Sequence, residues 1–285
     1  MAAVGLAACM PRGTGGGGGY VFGVPDPAPV PGVPDGLFAL GVASGDPTPD
    51  GFVLWTRLAP APLADAGGMP DVTVPVRWQV ATDASFSTLV ADGEVSTSSA
   101  VGHSVHIGVT NLAPDQAYWY RFTTGGQVSP VGRTRSAPAL GAEVSELSMA
   151  FATCQSYQDG YFTAWSQVAA DEPDVVVFLG DYIYEGGISS SKPRQHNSGE
   201  ITTLEDYRKR YGLYKSDLRL QEAHAAAPWI VTWDDHEVEN NYAGLVPQNP
   251  AETATFAARR AAAYQAYWEH QPLRTQPIDG GLELY

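Results

Sequence analysis

Cysteine is nearly absent from this chain: only Cys9 and Cys154 occur in 285 residues, so a disulfide framework is excluded as the source of stability. Basic residues are scarce as well. Sixteen Lys and Arg stand against 31 Asp and Glu, a formal charge of −15 that repels polyanions and argues against non-specific nucleic-acid binding or attraction to an acidic membrane surface. No run of about 18 apolar residues follows the leader, so nothing there reads as a membrane span. Internal repeats are also missing. What remains is 44% hydrophobic and only 16% charged, with 14 Tyr and 7 Trp, enough apolar material for the core of about two domains.

The first residues, MAAVGLAAC, look like the end of an export signal, and Leu6-Ala7-Ala8-Cys9 resembles a lipobox. Cys9 is therefore a candidate lipid anchor, and a secreted, periplasmic or cell-envelope location is expected. Gly15 to Gly19 and then Pro25 to Pro34 read as a flexible tether followed by a stiffer spacer. Residues 1–36 are expected to be signal remnant and linker.

Between Phe38 and Arg135 the signals are short, β-rich and punctuated by Gly, Pro and Asp, which suggests an all-β sandwich over residues 37–137. Asn111 to Tyr118, leading into Trp119-Tyr120-Arg121-Phe122, resembles the tyrosine-corner approach of immunoglobulin-like and fibronectin-III-like sandwiches, with Tyr118 at the corner. From residue 146 onward the rhythm is α/β. Leu147 to Thr153 is a short strand, Gly160 to Asp171 an amphipathic helix, and Asp174 to Leu179 a continuous apolar run suited to a buried parallel strand. A helix is expected from Thr202, where Thr202 and Glu205 have capping-box spacing, and another over Leu218 to Ala226. The strand Trp229 to Trp233 should lie parallel to the previous two, and a last helix runs from about Glu252 to His270.

Chemistry collects where these strands end. Cys154 follows the first, Gly180-Asp181-Tyr182-Ile183-Tyr184-Glu185 the second, and Asp234-Asp235-His236-Glu237 with Asn240-Asn241 the third. Ligands of open α/β sheets bind outside the carboxyl ends of the strands, so three strands deliver these groups to one rim. Singly, each has a plainer explanation: a buried thiol, a turn-capping aspartate, a packed tyrosine, a solvated helix start. Together they make a ligand inventory for metal ions. Phenolate and carboxylate oxygens suit ferric iron, whereas Asp and Asn oxygens suit calcium. His236 is placed to donate or accept a proton beside them. His103, His106, His196, His224 and His270 lack such company and read as structural or surface residues.

FALGVASGDP from Phe38, FATCQSY from Phe151, FLGDYIYE from Phe178, LEDYRKRYGLYKSD from Leu204 and PWIVTWDDHEVENNY from Pro228 closely resemble the PhoD-like alkaline phosphatase/phosphodiesterase family. The resemblance implies a fibronectin-like N-terminal domain and a calcineurin-like metallophosphoesterase domain, here residues 146–285, holding Fe3+ and Ca2+. It implies an exported hydrolase of phosphate monoesters and diesters. Cys154, Asp181 and Tyr184 would bind iron, with Asp181 able to bridge to calcium. Asp235 stands where the wider superfamily has a metal-binding Asn, followed by His236, and Asn240 or Asn241 is the candidate calcium ligand. No twin-arginine pair precedes Arg12, and the family's later Asp and His ligand motifs are not present. A chain without them is expected to be a poorly active, marginally stable phosphatase. A phospholipase-D-like diesterase and a non-catalytic surface binding module are the alternatives.

Overall fold

The computed structural model describes residues 23–275. Eleven strands form two sheets among them. The larger sheet runs β5 (Ser104–Val109), β2 (Gly51–Arg57), β1 (Val42–Thr48), β11 (Pro228–Thr232), β10 (Val175–Leu179), β9 (Met149–Ala152). The smaller contains β4 (Leu89–Thr97), β3 (Val74–Ala81), β6 (Ala117–Thr124) and β7 (Gln127–Val128), with β8 (Gly132–Arg135) also paired to β6.

The N-terminal strands face each other as a sandwich. Alternate residues of β2 and β5, among them Phe52, Leu54, Val105, Ile107 and Val109, pack against Val76, Trp78, Val80, Tyr120 and Phe122 of the smaller sheet. Period-2 patterning makes such a two-sided core, because successive side chains of a strand point to opposite faces. The Tyr118 hydroxyl closes a local loop, accepting from the Ala113 amide at 3.0 Å and donating to the Ala113 carbonyl at 3.2 Å.

This sandwich does not end where the α/β segment begins. β1 pairs in parallel with β11, Ser44 opposite Pro228 and Gly45 opposite Trp229, so strands from both segments share one sheet. Glycine is required at 45: a Cβ there would lie 2.7 Å from the Trp229 carbonyl and 2.6 Å from that of Pro272. The Pro-rich spacer departs from a free linker in the same way. Asp26 binds Arg77 at 3.0 Å and Thr123 at 2.9 Å, pinning the spacer to the smaller sheet.

Helices α1 (Ala164–Asp171), α2 (Leu204–Lys215), α3 (Leu218–Ala226) and α4 (Thr253–His270) enclose a second core around Phe178, Tyr182, Tyr207, Tyr211, Trp229 and Tyr267. α1 begins later than Gly160, because a 3-10 turn at Tyr157–Asp159 precedes it. α2 is capped by Thr203, one residue after the expected Thr202: its hydroxyl accepts from the Asp206 amide and Asp206 returns the bond to the Thr203 amide. The helical layer is also fastened to the sandwich side. The Trp55 indole donates to the Glu269 carbonyl at 3.0 Å, and the buried Arg57 guanidinium meets Gly102 O and His270 Nε2, each at 2.7 Å.

β9, β10 and β11 are mutually parallel, as expected from their apolar runs. They depart from the expectation of full burial. Val176, Phe178 and Trp229 face the helices, while Phe151, Leu179 and Ile230 on the other face are exposed.

Candidate metal centre

The carboxyl ends of β9, β10 and β11 bring their loops together. Cys154 and Gln155 donate their backbone amides to the carbonyls of Gly180 and Asp181, each at 3.1 Å, which lays the first loop along the second. The second loop meets the third closely at Gly180, whose added Cβ would lie 2.6 Å from Asp234 Cβ. Gly180 has φ +98°, open to glycine and strained for other residues. Cys154 (φ 55°), Asp181 (φ 58°) and Asn241 (φ 58°) also adopt left-handed backbone, a conformation uncommon outside glycine and concentrated at functional sites.

Asp181, Asp235 and His236 each present one ligand atom, all within 4.8 Å of one another. Tyr184 donates its hydroxyl to Asp181 Oδ2 at 3.2 Å, and the Cys154 thiol points to the same oxygen at 3.4 Å. The other oxygen, Asp181 Oδ1, is buried with no hydrogen-bond partner. A buried carboxylate oxygen without a partner is costly unless a cation or donor satisfies it. Five of the seven residues singled out from the sequence therefore converge. Asn240 and Asn241 come alongside through their backbone: the Asn240 amide donates to Glu185 Oε1 at 2.9 Å and the Asn241 amide to Asp235 Oδ2 at 2.5 Å.

The donor set fits a cation. Burial, followed by the charges of Asp181 and Cys154, raises the Tyr184 phenol well above its ordinary range, so the surroundings alone keep it protonated and a positive ion is needed to make it a ligand. Burial opposes the charged form of His236, but its hydrogen bond to Glu185, Nδ1 to Oε2 at 2.7 Å, outweighs this and raises the imidazole pKa. Glu237, buried, accepts from the amides of Tyr182 (2.5 Å), Asp234 (2.9 Å) and Asp181 (3.1 Å), and burial pushes its pKa up to about 7 despite those bonds. Neither glutamate was singled out from the sequence. The available signal was position: both lie within the two acidic motifs, one residue from Tyr184 and from His236. The five other histidines take no part in the cluster; His103, His196, His224 and His270 are buried structural residues.

Beside Asp235 lies a shallow cavity of about 260 Å³, lined by Trp233, Asp234, Tyr242, Gly244 and Tyr264 as well.

Sequence comparison identifies the family. Residues 29–138 match the PhoD-like phosphatase N-terminal domain, and residues 149–285 match the PhoD-like phosphatase domain. The chain belongs to the PhoD-like phosphatase family. Alkaline phosphatase D of Bacillus subtilis (strain 168) is 51% identical over 255 residues, covering 87% of this chain and 44% of that protein. A solved structure of PhoD superposes with a TM-score of 0.86 at 50% identity, covering 90% of this chain and 50% of that one. The chain thus spans about half the length of the relatives it matches. Among the described residues, no helix is long and apolar enough to cross a membrane.

Proposed function

We propose that the chain supplies the ligand-bearing strand ends of a metal-dependent phosphoesterase acting outside the cytoplasm on phosphate monoesters, diesters or both. One observation carries the reading: Asp181, Asp235 and His236 bring ligand atoms within 4.8 Å of one another, and Asp181 itself keeps a buried oxygen without a hydrogen-bond partner. In this reading residues 37–137 form a fibronectin- or immunoglobulin-like domain and residues 146–285 belong to a calcineurin-like catalytic domain. Cys154, Asp181 and Tyr184 hold Fe3+, Asp181 bridges to Ca2+, one of Asn240 and Asn241 is a Ca2+ ligand, and Asp235 is a further metal ligand. Cys9, the proposed lipid anchor, lies outside the described residues.

When bound, such ions supply positive charge for the phosphate oxygens and lower the pKa of water. The chain's own residues supply the rest. With Nδ1 of His236 committed to Glu185, Nε2 is the nitrogen that can exchange a proton with substrate or leaving group. A net charge of −15 would otherwise repel a phosphate ester, so local cations must reverse the field at this rim. The expectation of a poorly active chain finds no support in this geometry, which assembles all three strand ends.

The test is to strip the purified protein with chelator, restore Fe3+ and Ca2+, and assay a soluble monoester, a soluble diester and a phospholipid. A visible tyrosinate-to-iron band that disappears in Tyr184→Phe and weakens in Cys154→Ala is expected, with hydrolysis that depends on added metal. A preference for the phospholipid would move the reading to a phospholipase-D-like diesterase. Metal binding that is indifferent to both substitutions would overturn the ligand assignment, and the absence of both binding and hydrolysis would favour a non-catalytic binding module.

A further inference from the structure

We infer that Glu185 and Glu237 form a reciprocal carboxylate latch, each reaching from its own loop into the other, that positions the ligand-bearing loops and the His236 ring of the metal site proposed above. The inference rests on that metal reading but concerns residues to which it gives no ligand role. Glu185 leaves the loop after β10 and crosses to the loop after β11, where Oε2 meets His236 Nδ1 at 2.7 Å and Oε1 accepts the Asn240 amide at 2.9 Å. Glu237 makes the opposite crossing. Its Oε1 accepts the Tyr182 amide at 2.5 Å, and its Oε2 accepts the Asp181 amide at 3.1 Å together with the Asp234 amide of its own loop at 2.9 Å.

Both carboxylates are buried, and all four oxygens are committed to protein donors. That occupancy separates them from Asp181, which keeps a buried oxygen without a partner. Their chemistry is accordingly to hold ligands, and it accounts for two features of the site. Two successive amides, Asp181 and Tyr182, converge on one carboxylate, which holds Asp181 in its left-handed conformation and fixes where its side chain emerges. The Glu185 contact fixes the His236 ring and its tautomer, as carboxylates behind metal-site histidines generally do. Each end of the latch is the other's support: removing Glu237 frees the loop carrying Asp181, and removing Glu185 frees the loop carrying His236.

The test uses the whole 285-residue chain with Co2+ as probe, because a thiolate such as that of Cys154 gives a strong absorption on binding it. The parent, Glu185→Gln and Glu237→Gln are compared first by thermal melting and by amide hydrogen exchange. Faster exchange is expected at Asp181, Tyr182 and Asp234 in E237Q, and at Asn240 in E185Q. Each variant should bind Co2+ about 10- to 100-fold more weakly at a temperature where it is fully folded, the range typical for groups that orient metal ligands. A purely structural role would lower the melting temperature and leave the Co2+ affinity of the folded protein unchanged. That result overturns the proposal, as does unchanged exchange at these amides. If E237Q does not fold, E185Q decides by the same two readouts. A parent that binds no Co2+ overturns the metal reading and this inference together, whereas variants that bind as the parent does overturn the latch alone.

Discussion

Cys154, Asp181 and Asn241 each stand out in the sequence by side-chain chemistry, yet they also share a left-handed backbone that periodicity cannot reveal. The ligand types were legible because carboxylate, thiol, phenol and imidazole stood directly after apolar runs. The backbone geometry was not, because it is imposed by amide bonds between loops, such as Cys154 to Gly180 and Asp181 to Glu237. Asp181 is the residue on which both levels meet. Asn tolerates the same conformation, so Asp181→Asn should leave the metal-free melting temperature within about 2 °C of the parent, since no core packing changes. It removes the charge that faces Cys154 and Tyr184, and metal affinity should fall by more than about 100-fold, beyond the usual loss for an outer-shell group. Calorimetric titration of parent and variant with Ca2+ or Co2+ checks this. Equal affinities would remove Asp181 from the centre of the site.

At the scale of elements, long apolar runs and helix signals were read within a few residues, and α3 coincides with the expected Leu218 to Ala226. The start of α2 shows where such reading loses precision. Thr202 and Thr203 are both competent caps, and both Glu205 and Asp206 follow at the right spacing, so sequence alone offers two solutions. The structure chooses Thr203 with Asp206, leaving Glu205 to accept the Ala66 amide at 2.9 Å. Thr203→Ala should therefore cost about 1 kcal/mol of stability, the usual loss for a helix cap, while Thr202→Ala should cost about half that or less. Chemical denaturation of the two variants distinguishes them, and a larger loss in Thr202→Ala would move the cap back one residue. Helix propensity alone would not separate these variants.

Over the whole molecule, the shared sheet was the least legible feature. β1 and β11 are far apart in sequence, and their pairing depends on a close approach at Gly45 that no local pattern announces. The buried histidines give the whole molecule a pH dependence. Burial, then the charge of Arg210, holds the His196 pKa down at about 4, against about 6.5 in an unfolded chain. The unfolded state thus takes up the proton first: the contribution is complete above about pH 6.5 and is lost as pH falls through 4, on the order of 3 kcal/mol in all. Burial also holds the His106 pKa down at about 4 and depresses those of His224 and His270, so chemical denaturation of the metal-free protein from pH 7 to 4 should show a decline to which all of them contribute; His196→Gln should make it shallower, and an equal slope in the variant would remove His196 from the contributors. A second property follows from the bare face of β9, β10 and β11. Parallel sheets are normally covered on both sides, yet among the described residues only the helical side is. On the other, Met149 is 46% exposed, Phe151 62%, Leu179 51% and Ile230 45%. Phe151 pairs in register with Val177, and Val177 with Ile230, so the exposed groups form a row across three strands instead of scattered single side chains. Contiguous apolar surface of this kind binds amphipathic dyes. The folded 285-residue chain should therefore raise the fluorescence of anilinonaphthalene sulfonate under native conditions, and the paired substitutions Phe151→Lys and Ile230→Lys should remove most of that signal without lowering the helical circular dichroism. Fluorescence that persists in the double variant would place the dye elsewhere, and a parent that raises no fluorescence would show that this face is covered in solution.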